Sequence, residues 1–248
     1  MLKYSARSVA YWSTIPARSG SGHNNAVTSV PWCVRPMLRA LMVSLVVFSV
    51  VAQTQPAASR AQFLRDLVAA AIERTHHEVT YDPGYVGITY PGGDVPASSG
   101  VCSDEIVRIY RALGIDLQKE VHEDIVRDPE AYPLSRWQQK RADRNIDHRR
   151  VPNLMVFFSR HGDELRITRH AADYEPGDLV AWDLGNGPVH IGIVVDQKAP
   201  ATGRFMIVHN IGAGPKMEDV LFDWKIIGHY RYFGPPGVSR APALAPSR

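Results

Sequence analysis

The sequence contains two cysteines, and the residues around Cys102 have the pattern of a catalytic nucleophile. Cys102 follows a segment rich in Gly, Pro and Ser and precedes apolar residues at helical spacing, so it is predicted to open a helix. Backbone N–H groups and the positive end of the helix dipole then face the sulfur, which lowers the pKa of a thiol and supplies donors to an oxyanion. Asp104 and Glu105 in the first turn oppose this effect in part. The alternative is that Cys102 is a small buried residue that packs the start of the helix.

A pair of histidines is predicted on two neighbouring strands. Residues 189–195 alternate in character, which places His190 on one face of a strand. If the following hairpin closes symmetrically about Ala199 and Pro200, His190 lies directly opposite His209. Directly opposed residues project from the same face of a sheet with Cβ atoms about 5 Å apart. One imidazole could therefore orient the other.

The same register decides between two candidates for the orienting group. Asn210 would pair with Val189 and point away from the histidine face, which favours His209. A bulge in the hairpin would reverse this choice. Gly192, two residues beyond His190, leaves room above the strand for another side chain or a substrate. A nucleophile at a helix start with a base on a facing strand, oriented by a third polar group, is the papain-like arrangement.

The elements that must position these residues can be read from the periodicity. Helices are predicted at 61–78, from Cys102 to Gly114, as two short pieces within 118–147, and at 152–160. Strands are predicted at 178–184, 189–195, 204–210 and 226–233. Helices followed by an antiparallel meander indicate an α+β domain.

Two of these segments resemble the NlpC-type cell-wall peptidases. Those enzymes typically have Tyr-x-x-Gly-Gly before the nucleophile. Here Tyr-Pro-Gly-Gly begins at Tyr90, with one residue fewer before the glycine pair and the same spacing from Tyr to Cys102. Their base strand follows Pro-Gly-Asp-Leu-Val, which occurs here at 176–180, and begins His-x-Gly-Ile, as does the segment from His190. Their third residue, often a histidine, lies on the next strand and matches His209. The resemblance implies a papain-like fold, with N-terminal helices packed on an antiparallel sheet.

Five further motifs are similar to the bacterial family called domain of unknown function 1287. They are Gly-Val-Cys-Ser-Asp at 100–104, Val-His-Glu-Asp at 121–124, Asn-Ile-Asp-His-Arg-Arg at 145–150, Val-His-Asn-Ile-Gly at 208–212 and Gly-His-Tyr-Arg at 228–231. This likeness extends over residues 61–234. The chain departs from the NlpC-type pattern at Val101, where those enzymes commonly have Asp, and at Asp104, where they have Gly.

Together, the residues and the resemblance predict a cysteine hydrolase that cleaves an amide bond, most plausibly in peptidoglycan peptides. Cys102 would attack the carbonyl, His190 would take the thiol proton, and His209 would hold His190 in the useful tautomer. The residues expected to bind the oxyanion or the substrate are Tyr90, Ser103, Asp104, Asn210 and Arg149. Arg149 could clamp a substrate carboxylate. No cofactor and no metal are implied.

Two other functions fit the same residues. A cell-wall-binding module on the same fold would keep the site without catalysis, and the altered residues beside Cys102 favour it. A metalloprotein could use His122, His190 and His209. Rapid alkylation of Cys102 would distinguish the enzyme from the binding module, and metal analysis would identify the metalloprotein.

The N-terminal region has the features of a secretory leader. From Met37 a basic residue precedes an apolar run at 40–52, which is too short to span a bilayer. We therefore predict a leader extension or a mis-assigned start at 1–36, a signal peptide with a short linker at 37–60, the catalytic domain at 61–234 and a disordered tail at 235–248. The mature protein would lie in the periplasm or cell envelope and retain Cys102 as its single cysteine.

The net charge that remains after removal of the leader gives no support for a nucleic-acid partner. The first 52 residues hold five basic residues and no acidic ones, which leaves 23 basic against 25 acidic residues in the remainder. The basic isoelectric point therefore gives no argument for nucleic-acid binding. We expect a peptide substrate, no association with the membrane once the leader is removed, and a monomer.

Overall fold

The structure is a computed structural model that describes residues 57–236. The predicted signal peptide and nearly all of the predicted tail lie outside these residues. None of the described helices is long and apolar enough to cross a membrane.

Four helices form one layer of the described domain. They are α1 (Ala57–Arg74), α2 (Cys102–Ala112), α3 (Leu117–Arg127) and α4 (Val151–His161). Helix α2 begins at Cys102, as predicted, and helix α3 is capped by Asp116, whose side chain accepts hydrogen bonds from Gln118 N and Lys119 N. Helix α1 begins and ends four residues before its predicted bounds. The polar segment after α3 forms 3-10 turns rather than a second short α-helix, including one at Asp147–Arg149.

The second layer is a six-stranded antiparallel sheet, which confirms the α+β class. Its strands are β3 (Asp163–Glu164), β4 (Leu179–Asp183), β5 (Val189–Lys198), β6 (Phe205–Asn210), β7 (Pro215–Glu218) and β8 (Lys225–Arg231). A separate two-stranded parallel sheet joins β1 (Thr80–Tyr81) and β2 (Ser99–Gly100). The order in the large sheet is β3-β8-β4-β5-β6-β7. The sheet is therefore not a simple meander, because β8 returns to pair with β4.

Strand alternation divides the core into two apolar clusters. Ile191 and Ile193 of β5 pack in the first cluster, with side chains from all four helices. Val194, from the alternate positions of β5, packs in the second cluster with Trp182 and Ile207. Cys102 belongs to the first cluster, whereas the ring of His190 packs beside Trp182. Cys102 and the His190 ring therefore lie in different clusters, on the two faces of the sheet at β5.

Candidate active site

The start of α2 is held by the backbone and side chains of its first turn. Val101, the residue before the helix, has extended backbone angles, and its N–H donates to Asp104 Oδ2 at 2.7 Å. Gly100 has a φ of +155°, and a Cβ added there would lie 3.1 Å from both the Asp104 Cβ and Arg108 Nη1. Glycine therefore allows the loop to pass close to the helix. This geometry fixes the position of the Cys102 sulfur.

The sulfur of Cys102 is buried and surrounded by backbone donors. The side chain is 4% exposed. Burial raises the pKa of the Cys102 thiol to about 12, while the backbone N–H groups of Ile191, Ser103 and Cys102 itself act to lower it. The donors expected at a helix start are present, but the expectation of a lowered pKa is wrong for this closed arrangement. Desolvation of the charged thiolate outweighs the stabilisation by the helix start.

His190 and His209 lie side by side, as the sequence predicted. His190 Nε2 is 2.8 Å from His209 Nδ1, and His209 Nε2 is 3.0 Å from Glu218 Oε2. The His190 ring packs beside Trp182 and Trp224, at centroid distances of 5.8 and 5.9 Å. Burial and the neighbouring His209 lower the pKa of His190 to about 3, so its imidazole is neutral at physiological pH. Burial also lowers the pKa of His209, and Glu218 opposes this shift.

The hairpin register that brings the histidines together differs from the predicted one. Ile193 pairs with Val208, and an irregularity separates this part of the ladder from the Lys198–Phe205 pair. Continued from Ile193, this register places His209 opposite Gly192 rather than opposite His190. The shift is two residues, and strand side chains repeat with a period of two, so His209 remains on the His190 face. The direct pairing was therefore wrong, while the shared face and the contact are confirmed.

Gly192 provides the space that His209 occupies. A Cβ on Gly192 would lie 2.7 Å from Ile207 Cγ2, 3.0 Å from Val208 O and 3.1 Å from His209 Cβ. We expect Gly192→Ala to destabilise the fold by about 1–3 kcal/mol and to displace His209 from His190. Urea unfolding and the histidine NMR resonances measure the two effects. A stable variant with unchanged histidine resonances would contradict this account.

Cys102 and His190 are neighbours through the backbone of β5. The sulfur lies within reach of the N–H of Ile191, the residue that follows His190. Within residues 57–236 no hydrogen bond joins Cys102 to His190, and none involves His190 Nδ1. This ring nitrogen is therefore left to act as an acceptor.

Three predicted binding residues, Arg149, Asp104 and Ser103, instead hold the loop and the first turn around Cys102 in place. Arg149 forms two bonds with Asp104, at 2.8 and 3.0 Å, and both side chains are buried. Arg149 also donates to the backbone oxygens of Asp82 and Gly84. Ser103 Oγ donates to Arg149 O at 2.6 Å. Because their polar groups are already paired, Arg149 and Asp104 are not free to clamp a substrate.

Tyr90 lies away from Cys102, whereas Tyr81 lies in a segment that pairs with the loop before Cys102. The Tyr90 hydroxyl donates to Glu123 at 3.2 Å, and its ring packs on the edge of His122. Tyr81 pairs with Gly100 in the two-stranded sheet. Burial, followed by the charges of Cys102 and Asp104, raises the pKa of Tyr81 to about 12. No local pattern in the sequence indicates that Tyr81 lies beside this loop, since its position depends on a parallel pairing between distant segments.

Asn210 is buried on β6 and does not contact His190. Its Oδ1 accepts a hydrogen bond from Gly212 N at 3.2 Å, and its Nδ2 has no partner in the described part of the chain. His209 is therefore the group next to His190, and the choice of His209 over Asn210 as its neighbour is confirmed. Glu218 adds a third member to the His190–His209 pair. It was not predicted because β7 is short and polar and its sequence lacks the apolar alternation of a strand.

His148 is a buried histidine that gives stability a pH dependence. Burial, with Arg149 and Arg111 nearby, lowers the pKa of His148 to about 3, and its Nδ1 has no partner among the described residues. An unfolded histidine titrates near 6.5, so the unfolded state gains a proton as pH falls while the folded state does not. The stabilisation is complete above about pH 6.5 and is lost as pH falls towards 3.

We therefore expect the free energy of unfolding to fall by about 2 kcal/mol between pH 7 and pH 5 from His148 alone. Urea unfolding at the two pH values measures this change. His148→Gln removes the titrating group and should show a shallower pH dependence. An equal slope in the variant and the parent protein would refute the assignment to His148.

The histidines proposed as metal ligands do not share a site. His122 Nδ1 is 3.0 Å from Asp147 Oδ2, next to the 3-10 turn that contacts α2, whereas the rings of His190 and His209 both pack against Trp224. Over residues 57–236, no group of three His, Cys, Asp or Glu side chains could hold a metal ion.

Comparison with known proteins matches most of the described domain. Residues 68–232 match the family model described as Domain of unknown function (DUF1287). The Escherichia coli (strain K12) protein called "Uncharacterized protein YijF" is 54% identical over 153 residues, which cover 62% of this chain and 74% of that relative. Cys102, His190, His209 and Glu218 all fall within the residues matched by the family model.

Proposed function

The chain belongs to the family described as Domain of unknown function (DUF1287), and from the geometry of its site we propose that it is a cysteine hydrolase with a papain-like mechanism. Its substrate is an amide bond, most plausibly in a peptide of peptidoglycan. The protein acts after export to the periplasm or cell envelope.

The hydrogen-bonded chain from Glu218 through His209 to His190 carries this proposal. A carboxylate at Glu218 accepts only, so the His209 Nε2 next to it carries the proton. His209 Nδ1 is then an acceptor, and His190 Nε2 donates to it. In this tautomer His190 Nδ1 carries a free lone pair and can accept a proton, while its lowered pKa makes it a weak base until the site is opened to solvent or substrate.

The reaction uses this lone pair to activate the buried thiol. Cys102 packs in the first apolar cluster and the His190 ring packs beside Trp182, so the reaction requires a rearrangement on substrate entry that brings Cys102 Sγ to His190 Nδ1. His190 Nδ1 then takes the proton as the sulfur attacks the substrate carbonyl carbon. The tetrahedral oxyanion is stabilised by the N–H groups at the start of α2 and by the Tyr81 hydroxyl. Collapse breaks the C–N bond, and the imidazolium returns its proton to the departing amine. Water then attacks the thioester, with His190 again as base, and releases the acid and the thiol.

The raised pKa of Cys102 supports a second candidate, a cell-wall-binding module without catalysis. A thiol with a pKa of about 12 is protonated at neutral pH, and an inert buried thiol alkylates slowly. Catalysis from this state requires substrate to enter and proton transfer to accompany attack. Iodoacetamide labelling at neutral pH distinguishes the two candidates, because a catalytic Cys102 should label quickly and an inert buried Cys102 slowly.

Incubation with purified peptidoglycan, followed by mass analysis of the soluble products, tests the proposal directly. New amine and carboxylate ends in the peptide fragments, absent with the Cys102→Ala protein, would support hydrolysis. Binding to peptidoglycan without new ends would support the binding module and reject the enzyme.

A further inference from the structure

A groove beside α3 is lined by basic side chains that could bind a substrate carboxylate, which Arg149 cannot do because it is paired with Asp104. It has a volume of about 1010 Å³ and is lined by one side of α3 and by residues 139–145. Lys140, Arg141 and Arg144 line it, and all three are exposed. None of them has an ion pair or side-chain hydrogen bond to any described residue. Three unpaired cations along one groove wall favour an anionic ligand.

Asp143 is the single acidic residue among those that line the groove, so the three exposed cations leave it an excess of positive charge. Asp143 accepts hydrogen bonds from the Tyr85 hydroxyl at 3.1 Å and from Asn145 N at 2.9 Å. Asp147 is fully buried behind the wall and accepts from Gln139 Nε2 at 2.9 Å and Asp143 N at 2.7 Å. These bonds hold the 139–147 segment in a single arrangement, so a ligand meets a preformed wall.

The groove is connected to the nucleophile through one hydrogen-bonded layer. Asp147 holds His122 on the groove wall. The same 3-10 turn contains Arg149, which binds Asp104 in the first turn of α2. The groove wall and the start of α2 are therefore parts of one connected unit.

The opposite wall suits a peptide better than a bare anion. Ile125, Val126 and Pro129 line it, and Val126 is 62% exposed. An apolar wall facing a row of cations fits a short peptide that carries free carboxylates beside small apolar side chains. Peptidoglycan stem peptides have this chemistry.

We infer that the groove binds the carboxylates of the peptide substrate, with Arg141 and Arg144 as the principal contacts. This inference rests on the proposed hydrolase function, because it assigns the substrate-binding site of that reaction. It moves the carboxylate contact from Arg149, where the sequence suggested it, to cations that have no partner within the described residues.

The test measures binding separately from turnover. Cys102→Ala protein is titrated into a fluorescein-labelled tetrapeptide of L-Ala, D-Glu, L-Lys and D-Ala with both carboxylates free, and anisotropy reports the Kd. We expect Arg141→Gln with Arg144→Gln to weaken binding about tenfold, and added salt to reduce this difference. Amidation of both peptide carboxylates should weaken binding to a similar extent. The amidated peptide should then bind the double variant and the Cys102→Ala protein with nearly the same Kd.

A second cavity provides a matched control. It has a volume of about 710 Å³ and is lined in part by Arg166 and Arg169. Arg166→Gln with Arg169→Gln removes the same charge and should leave the Kd within about twofold. Equal losses in the two double variants, equal binding of the amidated peptide, or no binding of the free peptide would each overturn the assignment.

Failure of the groove and failure of the function give different results. If peptidoglycan hydrolysis is unchanged by substitution of Arg141 and Arg144, the groove is not the substrate site, while the hydrolase function stands. The predicted binding pattern in a protein that never hydrolyses peptidoglycan would keep the groove as a site for carboxylate-bearing peptides and reject the hydrolase.

Discussion

Cys102→Ala protein is expected to release no measurable product from peptidoglycan, a loss of at least about a thousandfold in kcat. In the proposed reaction this substitution removes the sulfur that would form the thioester, and the described residues place no other cysteine in the site. Because Cys102 packs in the large apolar cluster, alanine should also lower the free energy of unfolding, by about 1 kcal/mol. This cost is too small to unfold a typical domain.

Cys102→Ser is the matched variant, because it keeps the size and the polar atom while replacing the nucleophile. It should be nearly as inactive as Cys102→Ala and should show a similar denaturation midpoint to the parent protein. Product release is measured by mass analysis and folding by circular dichroism. Hydrolysis by either variant would show that Cys102 is structural and that the site is misassigned.

The histidine chain should give the second largest effect, and its members should act as a unit. His190→Gln keeps a side-chain amide that can donate to His209 but has no basic nitrogen, so we expect a loss of about a thousandfold in kcat. His209→Ala only removes the group that sets the tautomer of His190, and a loss of about ten- to a hundredfold is expected. The double variant should be little worse than His190→Gln alone, because effects within one catalytic unit are not additive.

Glu218→Gln tests the outer end of this chain with little change in shape. The Glu218 side chain is 43% exposed and contacts His209 Nε2, so the variant should fold normally and lose about tenfold in kcat with little change in KM. Asp219→Asn is the matched control, since Asp219 pairs with Arg204 rather than with a histidine. Equal effects of Glu218→Gln and Asp219→Asn would contradict the role of Glu218. Multiplied losses in the double variant of His190 and His209 would contradict a single catalytic unit.

The features that the sequence determined are those set by local periodicity. Helical spacing after a Gly-rich loop placed Cys102 at a helix start, because the apolar residues of one helical turn must face the same core. Strand alternation placed His190 and His209 on one face, and this survived a wrong register because a slip of two residues preserves the face. The packing of helices against an antiparallel sheet followed from the same patterns.

Tertiary structure alone decided which side chains meet and which are paired. The thiol has a raised pKa because helices and sheet close over it, an effect of burial that neighbours in the sequence do not report. Arg149 is paired with Asp104, and Tyr81 rather than Tyr90 pairs with the loop before Cys102, because segments far apart in the chain pack together. Local patterns specify an element and its faces, whereas partners depend on how distant elements pack, and that packing is a property of the whole fold.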